Sequence, residues 1–361
     1  MWAEALGRDD NNSFFVRRQP SHPGMASHVL QTVMCLVRFL IAATLLSSWF
    51  VSASDLRQIG IVNLPGSPGF GEVAFANGML LLTQPGASAV DVFDPVRRRA
   101  IAQITGLQSP RSIAVDTQAG RVYIADHDGN SIAIVGIDGW KVIDSIPLPG
   151  SPNALLLDGG RLYWSDAHAG TLSQLDLRTK QDVAKVELGG TPRGLALGDG
   201  GMIFVSVQDQ HQIVALNPQL QVAKRFTLNA SQPTGLVYDP QYRELYVSVR
   251  GAVLTINPDT GAEVSRVTAP EGVDALWLDE DSHTLYAASE GSLLMMSAKG
   301  SLTAIDSLLT QVKGHIVAYD SAKRLVLLPG GRDGKSRLLI LRPMSPNGQA
   351  GADESTDARV R

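Results

Sequence analysis

The sequence predicts an all-β fold, a seven-bladed β-propeller of four-stranded antiparallel blades closed by an N-terminal strand pairing with the last blade. Three observations carry this expectation. Short apolar segments recur at a nearly constant period, four kinds of segment fill each period, and the segment missing from the last period stands ahead of the first. Composition agrees: 44% apolar and 18% charged residues, with 35 Gly and 19 Pro, suit a turn-rich β protein with a large core.

Residues 1–53 stand outside the periodic region. In Val33–Ala53 a basic Arg38 precedes an apolar stretch from Phe39 to Phe50, and Val51-Ser52-Ala53 offers small residues for cleavage before Ser54. That is the layout of a secretory signal, shorter than the roughly 20 apolar residues a membrane span needs. Met25 makes a better start for such a signal than Met1, leaving the first 24 residues as an upstream extension. The expectation is an exported protein, periplasmic or extracellular, without stable membrane insertion after cleavage. The single cysteine, Cys35, lies in the removed segment. Thiolate metal sites and cysteine catalysis are then excluded from the mature chain.

From residue 54 to 343 the repeat takes over. MLLLTQP (79–85), RVYIADH (121–127), RLYWSDA (161–167), MIFVSVQ (202–208), ELYVSVR (244–250), TLYAASE (284–290) and RLVLLPG (324–330) begin 40 to 42 residues apart. A series of first strands precedes them: EVAFA, SIAVD, ALLLD, GLALG, GLVYD, ALWLD and IVAYD. A third series follows, from AVDVFD (89–94) to RLLILR (337–342). A fourth has six members, from AIAQI (100–104) to LTAIDSL (302–308). LRQIGIVNL (56–64) resembles the fourth series and is expected to complete the last blade. One blade cannot cover its own apolar faces, so blades stack around an axis and bury them between sheets. Residues 344–361 carry no periodicity and are expected to form a disordered tail.

The phrase GSPNALLLDGGRLYWSDAHAGTLSQLDLRT (150–179) resembles one repeat of the YVTN-type propellers, with kin in the NHL and YWTD classes. LYWSD (162–166) is close to the YWTD signature and YIADHDGNSIAIV (123–135) to the NHL phrase. TPRGL (191–195) and QPTGL (232–236) carry the Pro-x-Gly-Leu opening. The resemblance spans about residues 56–343 and implies the fold; its families include binders, lactonases and lyases.

Aligned repeats place Gly71, Arg111, Asn153, Arg193, Thr234, Asp274 and His315 at the entry of the first strands, around the mouth of the central channel. Arg111 and Arg193, with Asn153 between, suit a carboxylate or phosphate. Asp274 beside His315 is a candidate acid/base pair. His127, His168 and His211 fall in loops of three successive blades on the same face. They are weak candidates for zinc, out of register with one another; scattered surface histidines explain them better, and no metal is expected. Asp126 and Asp166 share one slot at the end of the second strand, where a turn-holding carboxylate explains them better than chemistry.

The resemblance also brings calcium-dependent lactonases with a Glu, Asn and Asp around the axis. Here the ring offers Asn153 and Asp274 with two opposing arginines, and Glu72 only if the register is off by one. No Gly-x-Ser-x-Gly elbow, P-loop, dinucleotide fingerprint or haem-attachment motif occurs, and a net charge of −4 with dispersed Lys/Arg gives no nucleic-acid footprint. The sequence therefore favours an exported, non-catalytic, monomeric propeller without cofactor, binding a small molecule, peptide or partner protein at its channel mouth. The alternative is a metal-dependent lactonase- or lyase-like enzyme with its site on the axis. A docking partner for a periplasmic redox enzyme is the third.

Overall fold

The computed structural model describes residues 55–344, so the expectations for the signal segment and for residues 345–361 lie outside the described residues. The first strand is β1 (Leu56–Asn63). Five four-stranded antiparallel blades follow. They comprise β2 (Val73–Ala76), β3 (Met79–Gln84), β4 (Ala89–Asp94) and β5 (Arg99–Ile104); β6 (Pro110–Asp116), β7 (Arg121–Asp126), β8 (Ser131–Gly136) and β9 (Lys141–Pro147); and β10 (Pro152–Asp158), β11 (Arg161–Asp166), β12 (Thr171–Asp176) and β13 (Gln181–Glu187). The fourth holds β14 (Pro192–Leu197), β15 (Ile203–Val207), β16 (Gln212–Leu216) and β17 (Val222–Thr227). The fifth holds β18 (Leu236–Asp239), β19 (Glu244–Val249), β20 (Ala252–Ile256) and β21 (Glu263–Thr268). The remainder are β22 (Leu276–Asp279), β23 (Thr284–Ser297), β24 (Thr303–Lys313), β25 (Ala318–Asp320), β26 (Leu325–Arg332) and β27 (Lys335–Pro343).

Burial explains the strand sequences. The second strand of a blade faces a neighbouring sheet on both sides, so β3, β7, β11 and β19 are buried along almost their whole length. Such strands read as continuous apolar runs rather than alternating ones. The fourth strands form the outer edge and alternate: β5 and β13 expose every second residue or more. Blade-to-blade packing is largely apolar. Leu81, Val92, Ile113, Ile124 and Val135 join the first two blades, and Tyr123, Ile132, Leu155, Leu162 and Trp164 join the next pair.

The expected count of seven blades is overturned. Among the described residues there are five four-stranded blades, and the strands assigned to a sixth and seventh form one seven-stranded sheet. Its order is β1-β27-β26-β24-β23-β22, with β25 pairing β26. The join is the pair Lys313↔Gly331 between β24 and β26. Two glycines allow it. A Cβ at Gly314 would collide with the Pro329 carbonyl, and one at Gly330 with the Lys313 carbonyl. β23 also runs on for 14 residues, pairing β22 with its first half and β24 with its second, where the sequence suggested two separate segments. The sheet packs on itself: Tyr286 and Tyr319 stack at 5.1 Å within a cluster containing Leu293, Val317, Val326 and Leu339.

A set of buried hydroxyls stitches the inner ends of the blades. Ser206 Oγ accepts the Gly194 N–H at 2.8 Å and donates to the Thr234 carbonyl of the next blade at 2.6 Å. Thr83 and Ser248 occupy the same slot; Thr83 Oγ1 accepts the Glu72 N–H and reaches the Arg111 carbonyl, and Ser248 Oγ accepts the Gly235 N–H. Ser206→Ala is expected to cost about 1 kcal/mol in urea unfolding, since the Gly194 N–H keeps its bond to Thr234 O. An unchanged denaturation midpoint would show that this hydroxyl stitches nothing.

Candidate functional site

The residues of the aligned ring lie at or just before the starts of the first strands. Gly71, Arg111, Asn153, Arg193, Thr234 and Asp274 line one cavity of about 620 Å³, with Glu72, Ser112 and Gln208 beside them. His315 is set apart from them. It lines a neighbouring cavity of about 510 Å³ with Lys313, Glu290 and Arg332, and Phe70 borders both cavities.

The two guanidinium groups are held by neutral side chains. Arg111 Nη1 donates to Asn153 Oδ1 at 3.2 Å, and Arg193 Nε donates to Gln208 Oε1 at 2.9 Å. Neither is consumed by a salt bridge among the described residues. Their charge remains available to an anion. Thr234 is committed to the scaffold: its hydroxyl donates to Val273 O at 2.7 Å and meets Ser248 Oγ at 2.9 Å. Towards a ligand it can only accept.

No side-chain hydrogen bond joins Asp274 to His315 among the described residues. The hydrogen bond between them runs through the backbone, from the Asp274 N–H to the His315 carbonyl at 3.2 Å. The imidazole instead donates through Nδ1 to Gly272 O at 2.6 Å, which fixes its proton there because a carbonyl only accepts, and Nε2 lies 3.8 Å from Glu290. Burial raises the Asp274 carboxyl above its ordinary range, against the opposing pull of His315 and Arg193.

Glu72, set aside in the sequence on grounds of register, is a principal feature of the cavity. It is half-buried, its carboxylate accepting the Ile113 N–H of the next blade at 3.1 Å and facing the Ser112 hydroxyl. Burial pushes it up to about 7, more than those two hydrogen bonds pull it down. The signal was present in the sequence. The corresponding positions hold Ser112, Ala154, Gly194, Gly235, Ala275 and Ile316, five of them small and none charged, so a glutamate at this point breaks the repeat. Gln208, just beyond the fourth blade's second strand, carried no comparable signal.

The loop residues sort differently. Asp126 accepts the N–H groups of Gln108 and Ser109, and Asp166 those of Ser151, His168 and Ala169, so both carboxylates hold turns. His127 Nδ1 donates to Pro152 O at 3.2 Å, and His211 sits in a left-handed turn at φ 53°. Among the described residues no group of three or more His, Cys, Asp or Glu is placed to share a metal ion, so His127, His168 and His211 do not converge on one.

Fold and site together define a β-propeller with a polar, charge-bearing cavity at the mouth of its channel. No family model matches the chain. Antigen Lp49 of Leptospira interrogans serogroup Icterohaemorrhagiae serovar copenhageni (strain Fiocruz L1-130) is 22% identical over 183 residues. That alignment takes in 44% of this chain and 40% of the relative, so the chain spans well under half of that protein. Solved structures that share the fold include three at 12% identity. Hydrazine synthase of Kuenenia stuttgartiensis aligns with a TM-score of 0.67 over 77% of this chain and 96% of its own. Virginiamycin B lyase from Staphylococcus aureus gives 0.66 over 80% and 99%, and a chain of a mitotic checkpoint complex gives 0.69 over 81% and 94%. Among the described residues no helix is long and apolar enough to cross a membrane.

Proposed function

We infer that this chain is an exported binding propeller of the YVTN/NHL kind whose channel mouth holds the anionic group of a small molecule or of a peptide end. One observation carries this reading. Arg111 and Arg193 share a single cavity, each oriented by a neutral side chain rather than neutralised by a carboxylate. The blades beneath are rigidly packed, so the guanidinium groups are positioned before a ligand arrives. Export rests on the sequence of Val33–Ala53.

The enzymatic alternative requires a divalent cation on the axis, and the donors present do not fit one. Glu72 already accepts from Ile113 and Ser112, Asn153 Oδ1 accepts from Arg111, and two guanidinium groups share the cavity. The lyase among the structural neighbours shares the fold at 12% identity, which carries no activity across.

Calorimetric titration with small carboxylates and inorganic phosphate tests the anion site. Arg111→Ala and Arg193→Ala are each expected to weaken binding by about tenfold or more, the loss of a charge-assisted hydrogen-bonding partner. Affinity unchanged in both variants would place the anion elsewhere.

A further inference from the structure

The charges of the cavity are segregated. Arg111, Asn153 and Arg193 stand on three consecutive blades. Asp274 and Glu72 stand outside those three blades, Asp274 just ahead of β22 in the seven-stranded sheet and Glu72 just ahead of β2 in the first blade. One arc offers hydrogen-bond donors and positive charge, and the other offers carboxylates. From this arrangement, and resting on the anion site inferred above, we propose that the cavity's ligand is a small zwitterion, with its carboxylate between Arg111 and Arg193 and its ammonium towards Glu72 and Asp274.

Each simpler ligand leaves a cost. A plain dianion pairs with the guanidinium groups but leaves Glu72 without a counter-charge and brings more negative charge towards both carboxyls. A plain cation pairs with the carboxylates and meets the two arginines. A zwitterion satisfies both arcs and adds no net charge to the cavity. Glu72 supports this further. Its position tolerates Ala or Gly in other blades, so stitching adjacent blades does not require a carboxyl there. Burial has pushed that carboxyl up to about 7, and hydrogen bonds rather than a cation oppose the push. An incoming ammonium would supply the missing partner. Arg193 is close enough to Asp274 to lower its carboxyl, so the two arcs come near each other on that side. A cavity of about 620 Å³ admits ligands from single amino acids to short peptides.

The test is a matched set of four-carbon probes titrated into the full-length protein by calorimetry: 4-aminobutyrate, succinate and 1,4-diaminobutane, with diglycine as a peptide-like zwitterion. The expected result is that 4-aminobutyrate or diglycine binds at least about tenfold more tightly than succinate and diaminobutane. Glu72→Gln and Asp274→Asn should remove that preference while succinate binding holds or improves. Succinate binding as well as the zwitterions overturns this proposal and leaves the anion site standing. Diaminobutane binding best, or no probe binding at all, overturns both. A zwitterion preference that survives both acidic variants overturns the assignment of the ammonium to this arc.

Discussion

A chain lacking residues 55–64 is expected to lose about 5 kcal/mol or more of folding stability, enough to unfold a typical domain at moderate temperature. β1 pairs with β27 from Leu56↔Pro343 to Asn63↔Arg337, and two further backbone bonds extend the pairing, from the Leu64 N–H to Ser336 O and from the Met344 N–H to Asp55 O. Its side chains serve two clusters on opposite faces of the sheet. Val62 and Leu64 pack with Phe93, Leu327 and Ile340, while Leu56 and Ile61 pack with Leu328, Leu339 and Tyr286. Strict alternation would put Leu56 with Val62. The register shift between Gln58 and Gly60 moves it to the other face, as an extra residue in one strand must. Removing β1 therefore opens both clusters and bares an edge of β27 that invites pairing with another chain. Urea unfolding and size-exclusion chromatography read the two consequences. Should the truncated chain prove too insoluble to measure, Leu56→Ala with Leu64→Ala in the full chain is expected to cost at least about 4 kcal/mol, since both leucines are buried. A loss under about 1 kcal/mol in either form would mean that β1 contributes little to holding the ring.

How much of this was legible in the sequence follows from the range of the signal concerned. The period-40 recurrence is local, repeated and dictated by burial on both faces of each inner strand, and the four-stranded blades from Val73 to Thr268 show it directly. The blade count failed where geometry is set by close approach between strands distant in the chain. Gly314 and Gly330 look like ordinary loop glycines in KGH and PGG, and only the packed backbone shows that they let β24 reach β26. The channel ring was legible because aligned repeats put equivalent residues at equivalent heights, and six of its seven residues do line one cavity. His315 left that cavity, although Asp274 and His315 are equivalent in the repeat: its ring turns to Gly272 O and towards Glu290, beside the junction of β24 and β26. Side-chain direction is beyond any alignment. Thr234 shows the same limit, being in the ring by register yet bound to Val273 O and Ser248.

Glu72→Gln is expected to stabilise the ligand-free protein above neutral pH and to leave it unchanged in acid. The carboxyl titrates at about 7 in the fold against 4.5 as its ordinary value. An acid whose folded-state value is raised binds its proton more tightly in the native chain, so stability falls as pH rises from 4.5 towards 7 and is level on either side. At about 1.4 kcal/mol per pH unit over the rise from 4.5 to about 7, the penalty above pH 7 is on the order of 3 kcal/mol. The groups facing the carboxyl are the Ser112 hydroxyl and the Ile113 N–H of β6, while Arg111, Arg193 and Asp274 are the charged groups sharing the cavity. Glutamine keeps an oxygen for the Ile113 N–H and removes the charge. Asp91, raised to about 6 by burial beside Gln84 and Gln103, gives the wild type a second pH-dependent loss. Only the difference between wild type and variant isolates Glu72. Thermal midpoints at pH 4, 6 and 8 should therefore converge in acid and separate in base, and parallel curves would mean that Glu72 is solvated like any surface carboxylate. The same pair of proteins separates a structural from a functional reason for the residue. A zwitterion that binds through Glu72 should raise the wild-type midpoint at pH 8 by more than it raises the variant's, because its ammonium relieves a penalty that the variant does not carry.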